Sequence, residues 1–495
     1  MLLRVAQGRV ASCTPLAALP ADRRAPADAL GDPDALLLPA LSDAHVHLVA
    51  CAAEREALDL TRPRPATIAE LLTRLVDAAR GASPSRWLRA TGYDEAWLAE
   101  HRHPTRAELD VAVPDVPLRV RHATRHASLL NSLALRRVEQ QLGPLGAAHV
   151  ANAPDGAPLA VVYGLEPEIT RVVGPLGEEG ILRGLRAVGA ELSRHGVVHV
   201  DEVTASNDAA RVALLARAVE SGALPQRVRA YVRDADEVAA AREAAAGRVE
   251  IAGVKLLARA EEEARAPAFR DAVARARRLG LAVAVHAVEA DVVAAVLDAL
   301  AAAPPRSSAA TRPRAIAATP LRTAAAVPPR STLEPDRIEH ASLCPPELVT
   351  RLASAGVAVV TQPAFLAARG DKYRREVEEP LWPWLYPLAT LRKAGAHVVA
   401  GSDAPVVPLD PRLGLDAAVE RRAGDVVLAP EERLDPASAL ELFTSSAARL
   451  RGEAAAPPWT PGAPCDLLVA DAWSPRDGFA SLRVRATLRA GRCIA

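Results

Sequence analysis

From about residue 195 onward the chain repeats one unit: a short apolar run of strand length, then a longer stretch with apolar residues at helical spacing. Such alternation folds as strand–helix–strand units around a parallel sheet, because a parallel neighbour is reached only through a crossover. Strand-like runs fall at 196–202, 228–232, 249–256, 281–286, 337–340, 357–362 and 397–402, with helical stretches such as 208–220, 266–279, 288–302 and 346–355 between them. An earlier apolar run at 35–47 brings the count to eight, the number of a (β/α)8 TIM-type barrel of the α/β class. Two segments break the rhythm. Residues 58–190 are too long for one strand–helix unit and mix both kinds of piece, 118–122 among them, so an insertion after the first strand is expected. Residues 303–334, rich in Ala, Pro, Arg and Ser, lack apolar periodicity and are expected as a mobile surface loop. Strand-like runs at both ends, including 465–470 and 482–488, suggest a small β-domain shared by 1–40 and 455–495, leaving 41–454 to the barrel.

Charge is balanced, with 60 basic and 60 acidic residues, so no net field draws the chain to nucleic acid or a membrane surface. Residues 1–10 are too short and too interrupted by Arg and Gln for a secretory signal, and no run approaches the ~18 apolar residues of a membrane span. The five cysteines (Cys13, Cys51, Cys344, Cys465, Cys493) stand far apart without CxxC spacing, which fits a reducing cytoplasm rather than a disulfide or zinc-ribbon framework. The expectation is a cytoplasmic protein whose partner is a small-molecule substrate, with a homodimer compatible. Among the basic residues only Lys255, Lys372 and Lys393 are lysines; the rest are arginines. A lysine kept in that background can mark a place arginine cannot serve.

The run Asp43-Ala44-His45-Val46-His47 closes the first apolar strand. Residues two apart on a strand share a face, so His45 and His47 point to one side. Two such imidazoles can hold one divalent ion at ~2.0–2.1 Å per bond, although an isolated pair is as readily two histidines bonded to backbone. Lys255, His286, His340 and Asp403 each fall at the end of a different strand. Barrel active sites are assembled from those C-terminal strand ends, so the set carries more weight than any member. Neutral imidazoles suit zinc and related ions. Asp403 can bind metal with one oxygen and take a water proton with the other, which makes it the expected general base and acid. A bound divalent ion lowers the pKa of its water toward ~7, giving a metal-activated hydroxide at neutral pH. Lys255 is the unusual member. Protonated, it repels a cation; deprotonated and carboxylated by CO2, its carbamate can bridge two ions. The plainer reading is a buried lysine paired with a carboxylate such as Glu202. The expected cofactor is therefore Zn2+, one or two ions, with a CO2-derived carbamate on Lys255 in the binuclear case.

With these residues placed, the chain resembles the amidohydrolase superfamily, and within it the YtcJ-like metal-dependent hydrolases of amidohydrolase family 3. The resemblance rests on LPALSDAHVHL ending at Leu48, PTRAELD (104–110), HASLLNSLAL (126–135), GVK (253–255), RIEHA (337–341), VVTQPAF (359–365), GSDAPVVPLDP (401–411) and PCDLLVAD (464–471), in that order. It implies a barrel carrying a composite β-sandwich formed from both termini, with ligands ending strands one, four, five, six and eight. The strand count made independently puts His45, His47, Lys255, His286, His340 and Asp403 on those strands. The chain departs from the family after His286, where Ala-Val-Glu replaces Ile-Gly-Asp, and after Lys255, where Leu-Leu-Ala-Arg replaces an Asp-Gly segment. Substrate identity does not carry over across those changes.

By the same resemblance the insertion covers the site, with His126 and Asn131 facing the pocket. Arg121, His122 and Arg125 beside them could meet an anionic group or form a basic surface turn. Trp382, Trp384 and Tyr386 could wall a planar substrate or pack their own loop, and Gln362 ends strand seven where it could point inward. The expected reaction is hydrolysis of a C–N bond in an amide, cyclic amide or similar group, outside peptide bonds. A deaminase (aminohydrolase) of a heterocyclic amine would use the same machinery and release ammonia; by resemblance such enzymes commonly lack the bridging lysine, so Lys255 favours the amide. Ester or organophosphate hydrolysis stays open. A metal-free paralogue acting as a binding protein would be marked by lost ligands, and no candidate ligand is lost.

Overall fold

The computed structural model describes residues 2–495 except 16, 17, 19–34, 62, 81, 83–85, 125, 147, 155, 175, 308–333, 454–456 and 472. Arg125 and most of the expected loop at 303–334 thus lie outside the described residues. The chain forms two compact units, Val49–Ala187 and a larger one made of Met1–Leu48 with Val188–Ala495.

The larger unit is built on eight parallel strands: Leu41–Val46, Val197–Glu202, Arg227–Val232, Val249–Leu257, Ala282–Ala287, Arg337–His340, Ala358–Thr361 and His397–Ala400. They pair in chain order, and a parallel bridge between Val46 and Ala404 brings the last strand's end to the first, so the barrel is nearly closed. Every residue of Leu41–Val46, Val197–Glu202 and Ala358–Thr361 is buried, as a parallel sheet covered on both faces requires. Helices return the chain between strands, started by side-chain caps such as Asp208 on Ala209–Glu220 or by an early proline, as in Pro267–Arg278.

The apolar run at 35–47, expected as one strand, is two strands in two sheets. Leu36–Pro39 pairs antiparallel with Leu467–Ala470, and Leu41–Val46 opens the barrel. Pro39 has no N–H to extend the first ladder. Beyond it, Ala40 N–H donates to Asp466 (3.1 Å) and Leu41 N–H to Gly196 (2.8 Å), so the chain changes sheets within two residues. The sheet containing Leu36–Pro39 has four strands, the others being Leu467–Ala470, Val484–Arg489 and Arg492–Cys493. A hairpin of Leu2–Ala6 and Arg9–Thr14 adds Val10 to an apolar cluster with Cys465, Leu467 and Leu488.

The barrel interior holds charge that apolar strand counting does not register. Arg229 and Arg337 are fully buried. Arg337 binds Asp201 (2.6 Å) and Glu339 (2.5 Å); Arg229 binds Asp201 (3.1 Å) and Glu334. Buried ions are tolerated only when paired this fully, since removing one partner costs about 3–5 kcal/mol.

Val49–Ala187 has its own six-stranded sheet, ordered Leu58–Asp59, Leu88–Tyr93, Leu118–His122, Ala127–Leu130, Pro158–Tyr163 and Val150–Asn152. The first three strands are parallel and the rest antiparallel. Its core packs Leu71 and Leu75 of helix Ile68–Ala79 and Leu109 of Arg106–Ala112 against Tyr93, Leu118, Val120 and Leu129. Helix Arg106–Ala112 opens with a capping box between Thr105 and Glu108. Among the described residues of both units, no helix is long and apolar enough to cross a membrane.

Candidate metal centre

Ligand atoms of His45, His340 and Asp403 lie within 4.8 Å of one another at the C-terminal ends of the first, sixth and eighth barrel strands. His45 Nε2 is 3.4 Å and His47 Nε2 2.9 Å from the same Asp403 oxygen. His286 joins through His340, with His286 Nδ1 and His340 Nε2 2.8 Å apart. Lys255 stands two residues before the end of strand Val249–Leu257, and its buried Nζ has no hydrogen-bond partner among the described residues. Glu202, the carboxylate considered as its partner, instead accepts from Leu48 N–H (2.5 Å), Thr204 N–H (2.8 Å) and Asn207 (3.2 Å).

Local backbone chemistry explains this convergence. On a regular strand Glu339 and His340 would face opposite sides. His340 has φ 73°, which ends the pleat, so Glu339 reaches His45 (2.6 Å) while the His340 ring lies 5.0 Å from that of His45. Asp403 follows the eighth strand with φ 58°, and its N–H donates to the His45 carbonyl at 2.7 Å. Asp43 fastens that turn: its carboxylate accepts from Ser402 N–H (2.9 Å), the Ser402 hydroxyl (2.5 Å) and His45 N–H (3.1 Å). Gly401 permits the approach, since a Cβ there would stand 2.5 Å from the His45 nitrogen.

Three imidazoles are oriented from behind, leaving the other ring nitrogen for the centre. His45 Nδ1 bonds Glu339, His340 Nδ1 donates to Gln362 Oε1 (2.7 Å), and His47 Nδ1 meets the Thr204 hydroxyl (2.9 Å). Partners of this kind fix the ring and its tautomer in metal sites. Gln362, singled out as the end of strand seven, thus acts on His340. Glu339, Asp43 and Thr204 went unassigned in the sequence, although Asp43 and Glu339 stand inside the quoted motifs.

The electrostatics favour a cation at the convergence point. Burial pushes the Asp403 carboxyl up, but His45 and His47 hold it well below the ordinary range. Burial opposes protonation of His45, yet Glu339 and Asp403 outweigh it and raise the ring. His340 and His286 go the other way. Burial, with the charge of His45, keeps His340 well below its usual value, and burial, with the charges of Lys255 and then His45, draws His286 down to about 4. Burial also draws Lys255 down to about 8, with Arg337 adding to the effect against the pull of Glu339 and Asp403. The neutral imidazoles of His286 and His340, an ionised carboxylate and an unpartnered lysine drawn toward deprotonation form a donor set that fits borderline divalent ions, with the proton of His45 the one a cation must displace.

The other candidate substrate residues are placed differently. Asn131 is fully buried in the smaller unit and is committed to backbone: its carbonyl caps Ala134 N–H and accepts from Leu118 N–H, and its amide donates to Val113 and Val116. Four bonds exhaust its capacity, so it is a scaffold residue rather than a substrate contact. Arg121 donates to Glu166 at 3.1 Å beside the buried Arg119–Glu166 pair, so its anion is internal. The His126 side chain is exposed. Trp384 is partly exposed at the end of the short helix Glu379–Trp384, while Trp382 and Tyr386 pack with Phe365, Leu385 and Val407.

A protein-family model described as Amidohydrolase family matches residues 34–495. The chain is 23% identical over 452 residues to a putative amidohydrolase, YtcJ, of Bacillus subtilis (strain 168), covering 84% of this chain and 79% of that protein. It is 24% identical over 465 residues to an N-substituted formamide deformylase of Arthrobacter pascens, with the same coverage of 84% and 79%. Among solved structures, an uncharacterized metal-dependent hydrolase from Pyrococcus horikoshii OT3 superimposes with a TM-score of 0.65 at 24% identity, covering 89% of this chain and 86% of that one.

Proposed function

The chain belongs to the amidohydrolase family, and from that premise we propose that it is a metal-dependent hydrolase of a C–N bond in an amide-type small molecule. The observation that carries the reading is the meeting of His45, His340 and Asp403 within 4.8 Å at the strand ends, with Lys255 unpartnered beside them. His45, His47, His286, His340 and Asp403 would hold a divalent ion, Zn2+ being the best match to imidazole and carboxylate, and a carbamate on Lys255 would serve a second. When bound, such an ion polarises a carbonyl and lowers the pKa of water toward ~7.

The chain's own residues divide the remaining work. Asp403, kept ionised by its two histidines, accepts the proton of the attacking water and returns it to the departing nitrogen, so one water yields one acid and one amine. Glu339 and Gln362 keep the His45 and His340 rings from rotating. Arg337, bound to Glu339 and Asp201, keeps Glu339 ionised so that it can hold its histidine.

The formamide deformylase among the relatives makes N-substituted formamides the first substrates to try, followed by cyclic amides and amino-heterocycles. Expected are one or two divalent ions per chain, and release of an amine with formate or another acid. Ammonia release from the heterocycles would move the reading to a deaminase. A folded protein that takes up no ion when Zn2+ is supplied would end it.

A further inference from the structure

A second convergence of metal-competent groups lies wholly inside Val49–Ala187. Strands Leu88–Tyr93 and Leu118–His122 run parallel with Tyr93 in register with His122. Asp94 and Glu95 follow the first strand and His122 ends the second, so three side chains stand at the C-terminal ends of neighbouring parallel strands. That is where open α/β sheets gather their ligands. His103 reaches the same place from the loop before helix Arg106–Ala112.

Distances allow Asp94, Glu95 and His122 to share one ion, with His103 within reach of Glu95. His122 Nε2 is 2.8 Å from Glu95 Oε2 and 3.8 Å from Asp94 Oδ1, and His103 Nδ1 is 3.6 Å from the same Glu95 oxygen. A tetrahedral ion with bonds of ~2.0–2.1 Å holds its ligand atoms about 3.3 Å apart. The three separations bracket that value, as do the 2.9 and 3.4 Å contacts at the barrel centre. Both rings are also braced on their far nitrogen: His122 Nδ1 by the Thr124 hydroxyl (2.7 Å) and His103 Nε2 by the Tyr163 hydroxyl (2.9 Å). Tyr93 OH, 3.2 Å from His103 Nδ1, Ala96 N–H, 2.9 Å from Asp94 Oδ1, and Thr124 N–H, which donates to His122 Nδ1 at 3.2 Å, are the competing partners an ion must coexist with or displace.

We propose that Asp94, Glu95 and His122 form a separate divalent-cation site of the Zn2+ class, which ties together two neighbouring strand ends of the inserted unit, with His103 close to Glu95. With 34% of the Glu95 and 23% of the Asp94 side chain accessible, water completes the coordination of such an ion.

The test is Zn2+ counting on full-length protein stripped with chelator and re-equilibrated, with folding checked by circular dichroism. The double variant Glu95→Gln/His122→Asn is expected to bind one ion per chain fewer than the parent. The barrel triple variant His45→Ala/His340→Ala/Asp403→Ala is expected to keep one ion, and with Co2+ to show the strong visible absorption of a low-symmetry four-coordinate site. Equal ion counts for parent and Glu95→Gln/His122→Asn, or a folded barrel variant that binds none, overturn the proposal and leave a His–Glu ion pair only. Should both variants fail to fold, zinc-edge anomalous diffraction from parent crystals reads the same position directly. A peak between His122 and Glu95 is expected, and its absence has the same overturning force.

Discussion

The two units solve a similar placement problem with supports that differ at one histidine: His47 of the barrel, like His122, is held by a threonine hydroxyl, whereas His45 is held by a carboxylate. In the barrel, His45 is 1% exposed and is backed by Glu339, itself 0% exposed and anchored by a buried arginine. In the inserted unit, His122 is 11% exposed and is backed by the Thr124 hydroxyl, a neutral group. A carboxylate behind an imidazole raises its basicity and fixes its tautomer, whereas a hydroxyl fixes orientation alone. A dry surrounding also strengthens every charge interaction inside it. On the functions proposed above, the same ligand types would make a reaction centre in one place and an ion clamp in the other. The neighbours and the water decide.

The sharpest way to break that contrast is to turn one acid into its amide in each place. Asp403→Asn removes the proposed proton acceptor while keeping the shape, and kcat is expected to fall about 10²–10⁴-fold. Glu95→Gln is expected to leave kcat/KM within about twofold of the parent, whatever it does to ion content. Steady-state rates on one substrate decide both; equal losses would erase the distinction drawn between the two units.

Lys255 separates the barrel centre further, because nothing comparable stands in the inserted cluster. Its folded-state pKa, about 8, lies below the ordinary lysine value, so the unfolded chain holds more protons between those two pH values. Stability of the metal-free protein should therefore rise as pH climbs from about 8 toward 10.5. Lys255→Met, which carries no charge to bury, should be the more stable form at pH 7 by roughly 3 kcal/mol, with the gap closing at higher pH. Urea unfolding of both forms at pH 7 and 9.5 measures it. A gap that does not change with pH would mean that Lys255 is not the buried ammonium responsible.

The strand pattern was legible because short, mostly apolar runs alternate with stretches of helical spacing, as Ala358–Thr361 and Ala282–Ala287 illustrate. The break at Ala40 was not, since a run of Leu and Pro continues through it and only the partners on either side tell the two strands apart. The ligand candidates were legible as strand-end residues of the right chemistry. Their supports were not, because Glu339 and Asp43 act across distances of 294 and 359 residues. Arg229 and Arg337 read as breaks in apolar runs, not as a network. The cluster of Asp94, Glu95, His103 and His122 has no spacing of its own; only the pairing of Leu88–Tyr93 with Leu118–His122 assembles it.

Glu339→Gln probes the barrel's supporting shell itself. The amide keeps a bond to His45 but drops the charge that Arg337 and His45 share, leaving Arg337 with Asp201 as its carboxylate partner. Metal affinity should weaken about 10–100-fold, the usual consequence of losing an outer carboxylate. Chelator competition reads this directly, and an unchanged affinity would make the backing of His45 irrelevant. The equivalent change behind His122, Thr124→Ala, should weaken Zn2+ binding by less than Glu339→Gln does, because only a neutral hydrogen bond is removed.

The smallest expected effect concerns a residue whose resemblance-based role and observed contacts diverge. Asn131 was expected at the substrate pocket, yet its amide spans helix Ser132–Leu142, strand Leu118–His122 and the carbonyls of Val113 and Val116. Asn131→Ala would uncap that helix and strand buried backbone groups, for about 2 kcal/mol of lost stability in the inserted unit. Asn131→Asp would keep the acceptor oxygens but place a charge against two carbonyls, and should be no less damaging. KM for the tested substrate should stay within about twofold for Asn131→Ala, provided it is measured well below the melting temperature. A raised KM with unaltered stability would return Asn131 to the pocket. It would also mean that the hydrogen bonds holding it in the smaller unit contribute little to that unit's fold.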